Sequence, residues 1–414
     1  MRHILVGLLL AASACTGTID VSGGGDDTTQ PPSNDVQIRV RDGYTPQANV
    51  RVIFQDGADA VLADTLTDAM GVAKLEMATG NVTLIRSYPP ATPPAENRPP
   101  EVTTYVGVKA GDKLELGNPI AEGVTPGAIV VKVPELAKGT VKVITPCGSG
   151  QGTAPNIAIT VTSCPPMMDF YVTDGDQSSF YKKAAYAENV DLALEPLSGN
   201  LAATIASTNV PANTAVSVEQ RVVAGTFQLF SSGPKRVETN PTTVNVPNLT
   251  GVDQLVVSTI STNGRGTQMI GDRSAYAASP VIVDASAGII PYVMGNPTFA
   301  PGSVTWVEEG TGTADAVIVI LGVTRGGPVS LDNEYVRTIL APHAGLTLRI
   351  PALPDALYNP TMGDQLAGRH ALVGATGGYD AIRASAFTTA NLVETAKLDG
   401  RVTLSYAGNN PPTR

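Results

Sequence analysis

Chemistry needs groups that move protons, attack carbon or hold metals, and this chain is poor in all three. Beyond His3 it has two histidines, His343 and His370. A Ser–His–Asp triad requires a positioned imidazole beside an activated serine, and no Gly-x-Ser-x-Gly elbow supplies that serine. Ser179-Phe180-Tyr181-Lys182 has Ser-x-x-Lys spacing, but the companion motifs of that chemistry are absent. There is no His-Glu-x-x-His, no phosphate loop and no dinucleotide fingerprint. Glu308-Glu309, close to the single tryptophan Trp306, is the nearest approach to a paired-carboxylate site. Adjacent residues of a strand point to opposite faces, so these two would not address one substrate. The expectation is no catalysis, with both histidines at the surface or hydrogen-bonded, Glu308-Glu309 a solvated strand end and Trp306 a core anchor. An enzyme of unfamiliar type would need a deep polar cleft with opposed carboxylates or a metal.

Asp174, Asp176 and Ser178 place oxygen-bearing side chains at alternate positions, a spacing that can wrap a hard cation. Calcium is therefore the one cofactor the sequence suggests. The glycine and late glutamate of a full EF-hand loop are missing, and an acidic turn accounts for the same residues. Phe170, Tyr171, Phe180, Tyr181 and Tyr186 form an aromatic cluster that fits either a sugar-stacking patch or a packed interior.

The elements that must position these groups begin with an address. Arg2 and His3 precede an apolar run from Ile4 to Ala12. A bilayer span needs about twenty apolar residues, so this short run reads as a signal peptide. Ala12-Ser13-Ala14-Cys15 resembles the lipobox of bacterial lipoproteins, departing from it at Ala12, where leucine is usual. The resemblance implies cleavage after residue 14 and lipidation of Cys15. The alternative is an ordinary secretory peptide that leaves a free thiol. Thr16 lies where aspartate would retain an enterobacterial lipoprotein in the inner membrane, so the resemblance implies the outer membrane. Residues 15–34 are rich in Gly, Thr, Ser, Asp and Pro and cannot bury apolar surface; as a flexible tether they reach about 23 Å. With Cys15 acylated, Cys147 and Cys164 remain as an even pair in an oxidising compartment, where a disulfide is expected.

Apolar residues make up 43% of the 414, enough for real cores, and the net charge of −10 argues against a nucleic-acid partner. Helical periodicity is nearly absent. Short runs alternate instead, as in Val36, Ile38 and Val40 or Val50, Val52 and Phe54, with one side facing a core and the other water. The expected class is all-β, in tandem antiparallel sandwiches. Thr67-Asp68-Ala69-Met70-Gly71 before the run Val72 to Met77, and Lys109-Ala110-Gly111-Asp112 before Leu114, together resemble a carboxypeptidase regulatory-like domain, a small transthyretin-like sandwich. That resemblance covers residues 35–121, with the proline-rich stretch 89–100 as a loop inside it or a linker after it. It implies an accessory module without catalytic residues. Val133-Pro134-Glu135-Leu136, Val246-Pro247-Asn248-Leu249 and Ile350-Pro351-Ala352-Leu353 recur at the ends of alternating runs and resemble corners of immunoglobulin-like and fibronectin-like sandwiches. They suggest three more units, at 122–200, 201–288 and 289–414.

The functional expectation is a lipid-anchored surface protein of the outer membrane that displays β-sandwiches for binding, adhesion or envelope structure. Its partners would be the membrane and a glycan or surface-protein ligand. A carbohydrate-binding accessory role in a surface complex is the alternative.

Overall fold

The computed structural model describes residues 34–42, 45–88, 98–117, 127–135, 139–161, 164–175, 178–196, 198–208, 214–222, 227–238, 242–249, 251–262, 266–275, 281–284, 288–325, 334–385 and 400–407. Cys15, the signal and tether, and Asp176 lie outside them. The fold is an all-β sandwich of large, mostly antiparallel sheets. Among the described residues no helix is long and apolar enough to cross a membrane.

The first unit holds eight strands: β1 (Asp35–Asp42), β2 (Thr45–Pro46), β3 (Arg51–Gln55), β4 (Val61–Leu66), β5 (Val72–Glu76), β6 (Thr79–Arg86), β7 (Glu101–Lys109) and β8 (Lys113–Leu116). Alternation decides their layers. Val36, Ile38 and Val40 of β1 point inward and are fully buried. β1 pairs antiparallel with β5 and parallel with β8, and this layer faces β3, β6 and β7 through Val52, Phe54, Val82, Leu84 and Tyr105. The Thr-Asp-x-x-Gly turn works through its side chain: Asp68 Oδ1 accepts the N–H groups of Met70 and Val72 at 2.8 and 2.9 Å. Gly71 closes it at φ 71°, a left-handed conformation open to glycine. Arg86 of β6 lies opposite Glu101 of β7, so stretch 89–100 joins two strands of one hairpin inside the unit.

β7 does not end the sheet. Glu101–Tyr105 runs parallel to Val336–Leu340 of the Tyr335–Pro342 strand. From there the sheet continues through Ala316–Thr324, Gln365–Ala375, Arg401–Tyr406, Gly266–Ala275, Asp253–Thr262 and Thr214–Val222, reaching thirteen strands. The sequence suggests bodies in series; the structure fuses the first to the last. The run Ala316–Thr324 shows why. It is apolar at nearly every position, the mark of a strand covered on both faces. Ala316, Ile318 and Ile320 enter the core shared with β1, β3 and β6, while Val317, Val319, Leu321 and Val323 enter a second core on the other face.

Helix α1 (Gly378–Ala384) clasps this joint. Its buried Arg383 donates to Gly107 O at 2.7 Å and to Asp112 Oδ1 at 3.0 Å. Tyr379 Oη reaches Val106 O, and Lys109 pairs with Asp380 at 3.0 Å. Asp112 therefore serves two structures, its own turn through Lys109 N at 2.6 Å and the clasp.

The second unit sets Gly127–Lys132, Asn156–Val161 and Asn189–Asp191 against Thr140–Thr145, Gly148–Thr153, Met167–Thr173 and Ser178–Ala185. A Cβ on Gly148 or Gly150 would overlap the carbonyl oxygens of Thr160 and Ala158, so the glycines at alternate positions let one strand lie directly on the opposing backbone. Cys147 and Cys164 form a disulfide with Cα atoms 5.3 Å apart, against the same core. Replacing both cysteines by serine is expected to lower stability by about 3 kcal/mol. Urea unfolding should show it, with hydrogen-exchange protection falling first in residues 140–161.

The strand Ser198–Thr208 runs through position 200, the boundary suggested by sequence. It pairs with Ser178–Ser179 on one side and with Thr242–Pro247 on the other, so one strand serves two sandwiches. The recurrent Pro corners end strands as expected. Leu249 and Leu353 are buried as plugs, and the prolines' carbonyls become acceptors: Pro247 O for Gln220 Nε2 at 2.6 Å, Pro351 O for Arg337 Nη2 at 2.8 Å.

Candidate functional site

The residues with chemical capacity gather over the second core. Strand Ala316–Thr324 lies between Tyr335–Pro342 and Gln365–Ala375. Its Val317 face is covered by a segment that carries Trp306, which is only 5% exposed. The indole Nε1 donates to Glu308 Oε1 at 2.6 Å, and His343 Nε2 meets the same oxygen at 2.8 Å. His343 N–H donates to Asp315 O at 3.1 Å. His370, from the neighbouring strand, sets its ring 5.4 Å from that of Trp306.

Trp306 is thus the core anchor its setting predicts, and His343 is hydrogen-bonded. Two expectations change. Glu308 is a mostly buried acceptor rather than a solvated strand end, because the indole and imidazole beside it each need a partner. His370 is neither at the surface nor hydrogen-bonded: it is 3% exposed, and both ring nitrogens lack a partner. Burial alone pushes its pKa down to about 4, so the imidazole is neutral near pH 7. Glu309 lies opposite Tyr292, away from this cluster.

A groove of about 380 Å³ adjoins the cluster, lined by Gly288, Thr313, Asp315, Gly374, Thr376, Arg401 and Thr403 among others. Asp315 belongs to both, since its carboxylate Oδ2 accepts Ala375 N at 2.9 Å on the groove wall. Arg401 forks onto Asp272 at 2.6 and 3.0 Å, and Thr403 Oγ1 donates to Gly288 O at 2.8 Å. These polar groups hold the walls together; they form hydroxyl, carboxylate and guanidinium surfaces suited to a small polar ligand and place no activated nucleophile beside a base.

The other residues suggested by sequence are dispersed. Ser179 and Lys182 lie on one strand three positions apart, hence on opposite faces; Ser179 is buried, and Lys182 pairs with Glu195 at 2.8 Å. Asp174 Oδ1 accepts the N–H of Ser178 at 3.1 Å, closing the hairpin between their strands. Among the described residues no three His, Cys, Asp or Glu groups converge as metal ligands. Of the aromatic cluster, Phe170 and Phe180 fill the second unit's core, while Tyr171 and Tyr181 pack against Val222, Leu229, Leu249 and Val252 of the next. Tyr181 Oη donates to Asp169 at 2.6 Å, and burial with that carboxylate pushes its pKa up.

No family model matches the chain, and no curated protein matches it. Solved structures offer weak likenesses. The TIE protein of Bacillus anthracis gives a TM-score of 0.15 at 10% identity, covering 61% of this chain and 50% of that one. The native form of E. coli alpha-2-macroglobulin gives 0.12 at 11%, covering 88% and 27%. A Salmonella alpha-2-macroglobulin mutant gives 0.12 at 12%, covering 87% and 28%. The chain spans half the length of the first and little more than a quarter of the others.

The sequence did not single out Arg337. It lies fully buried on the inner face of its strand, with Nη2 on Pro351 O and Thr104 Oγ1, and Nη1 unpartnered. Burial pushes its pKa down to about 10. The signal was an arginine at an apolar position of the alternation Tyr335, Ile339, Ala341. Replacing Glu308 by alanine is expected to cost about 2 kcal/mol, because it leaves an indole N–H and an imidazole without their acceptor. As Trp306 is the only tryptophan, its emission should move to the red as the cover loosens.

Proposed function

We propose that this chain is a lipid-anchored, non-enzymatic surface protein whose work is display and binding. The observation that carries the reading is the Cys147–Cys164 disulfide, which fits an oxidising compartment and leaves Cys15, in its lipobox-like setting, as the cysteine to be acylated. The continuous sheet supports it too. A first unit fused to the last is a stiff presenter rather than a hinge between domains. The proposal keeps the resemblance of the first unit's turns, at Asp68–Gly71 and Lys109–Asp112, to those of a carboxypeptidase regulatory-like accessory module, and the proposed location is the outer membrane.

The test is the mature N-terminus. Mass spectrometry of protein from its native envelope should find residue 15 as the first residue, carrying acyl chains. Cys15→Ser should move the protein from the membrane fraction to the soluble one. An unacylated, soluble wild-type protein would overturn the reading. A second reading, binding of a small polar saccharide, is favoured by the groove beside Asp315 and Arg401. A glycan array on wild type and Thr313→Trp, which fills the groove mouth, separates the two.

A further inference from the structure

We propose that the groove beside Asp315 takes a sugar that carries a free amine, its ammonium seated on the Asp315 carboxylate. This rests on the groove being a saccharide site and adds the charge of the ligand.

Asp315 is fixed in place by the fold. It directly precedes the strand Ala316–Thr324. Its N–H donates to Val373 O at 2.8 Å, and its carbonyl accepts His343 N at 3.1 Å. Its Oδ2 accepts Ala375 N at 2.9 Å. Groups from the ends of both neighbouring strands therefore hold it, and a pre-set group gives up little freedom on binding.

What this carboxylate lacks is a cation. Among the described residues no lysine, arginine or histidine side chain pairs with it, and its Oδ1 has no hydrogen-bond donor. Asp315 is half-buried and lines the groove. Arg401 is the other charged residue of the lining, and its guanidinium forks onto Asp272 at 2.6 and 3.0 Å, so that charge is already matched. The unmatched charge facing a ligand is that of Asp315. Glycines keep it uncovered. A Cβ on Gly374 would lie 3.9 Å from Oδ2 and one on Gly378 3.7 Å from Oδ1, so any longer side chain there would crowd the carboxylate.

An ammonium answers this site with three donors and a charge-assisted bond. A uronic or sialic acid would bring a like charge against Asp315, and an acetylated amine would bring none. The net charge of −10 also draws cations toward the chain. The rest of the lining suits a sugar better than a simple amine. Thr313, Thr376 and Thr403 place hydroxyls around the groove, and Ile289 and Ile290 add apolar wall for the C–H face of a ring. Its volume of about 380 Å³ is at the small end of ligand sites.

Ligand-observed NMR titrations of the mature chain carrying Cys15→Ser, near neutral pH and at low salt, compare glucosamine, N-acetylglucosamine, glucose and n-butylamine. Glucosamine is expected to bind at least about tenfold more tightly than each of the others. The advantage should shrink with added salt and vanish at alkaline pH, where the amine loses its proton. Asp315→Asn keeps an oxygen for Ala375 N, so thermal stability should hold while the preference for glucosamine is lost. Thr313→Trp should abolish binding of every sugar. Equal binding of the sugars, all lost in Thr313→Trp, would leave the saccharide site standing and overturn the amine specificity. Butylamine bound as tightly as glucosamine, or a preference that survives Asp315→Asn, would overturn it too. No binding of any sugar would remove the site and this ligand together.

Discussion

Tyr105→Ala is expected to unfold the far end of the chain along with the near one. Tyr105 is fully buried in β7, and its hydroxyl donates to Glu115 O at 3.1 Å. Large-to-small changes at such sites cost about 3–5 kcal/mol. Were the first unit an independent bead, the loss would stop near residue 117. Tyr105 instead packs in the core that holds Ile318, Leu340, Val373 and Leu404, and its strand is hydrogen-bonded to Tyr335–Pro342. Hydrogen exchange should therefore show lost protection in Ala316–Thr324 and Gln365–Ala375 as well as in β1 and β6. Trp306 emission should report the same midpoint as the first unit. Loss confined to residues 35–116 would show that the joint is a contact between separately stable bodies.

Acid should weaken this protein through one imidazole. An unfolded His370 titrates near 6.5, while burial lowers it to about 4 in the fold. Between those values the unfolded chain binds the proton and the folded chain does not, so stability falls as pH drops. The penalty begins below about pH 6.5 and is complete near pH 4, at about 3 kcal/mol. His370→Leu should remove that part of the acid sensitivity. It should change little at pH 7, because neither ring nitrogen makes a hydrogen bond whose loss would strand a partner. Urea midpoints at pH 7.0 and 4.5, read by Trp306 fluorescence, give the comparison. Equal acid loss in wild type and variant would assign the effect to the carboxylates instead.

Local structure was written plainly in the sequence. Period-two alternation marked β1 and β3, and Asp68 with Gly71 marked a turn, because these depend on neighbours a few residues away. The two-sided run at Ala316–Thr324 was visible as an apolar stretch, though not which partners covered it. What was not legible was the pairing of Glu101–Tyr105 with Val336–Leu340. Parallel pairing over such a distance has no turn chemistry to announce it. The same holds at the site. Trp306, Glu308, His343 and His370 were each conspicuous by type, yet Glu308 and His343 meet only because the short strand Glu308–Glu309 and the loop after Tyr335–Pro342 converge. Arg337 and Arg383 carried a weaker sign, charges set among apolar neighbours, which gains meaning only when the opposing carbonyls of Pro351 and Gly107 are known.

The joint between β7 and Tyr335–Pro342 also bears on how the protein is made. The ribosome releases β7 long before its neighbour exists. At ordinary synthesis rates the wait is on the order of tens of seconds. Throughout that time the edge of β7 and the apolar face bearing Ile53, Ile85 and Val102 have no cover. A nascent chain of this kind depends on whatever shields it until its last hundred residues arrive, and any message cut short before Tyr335 would yield a product fit only for degradation.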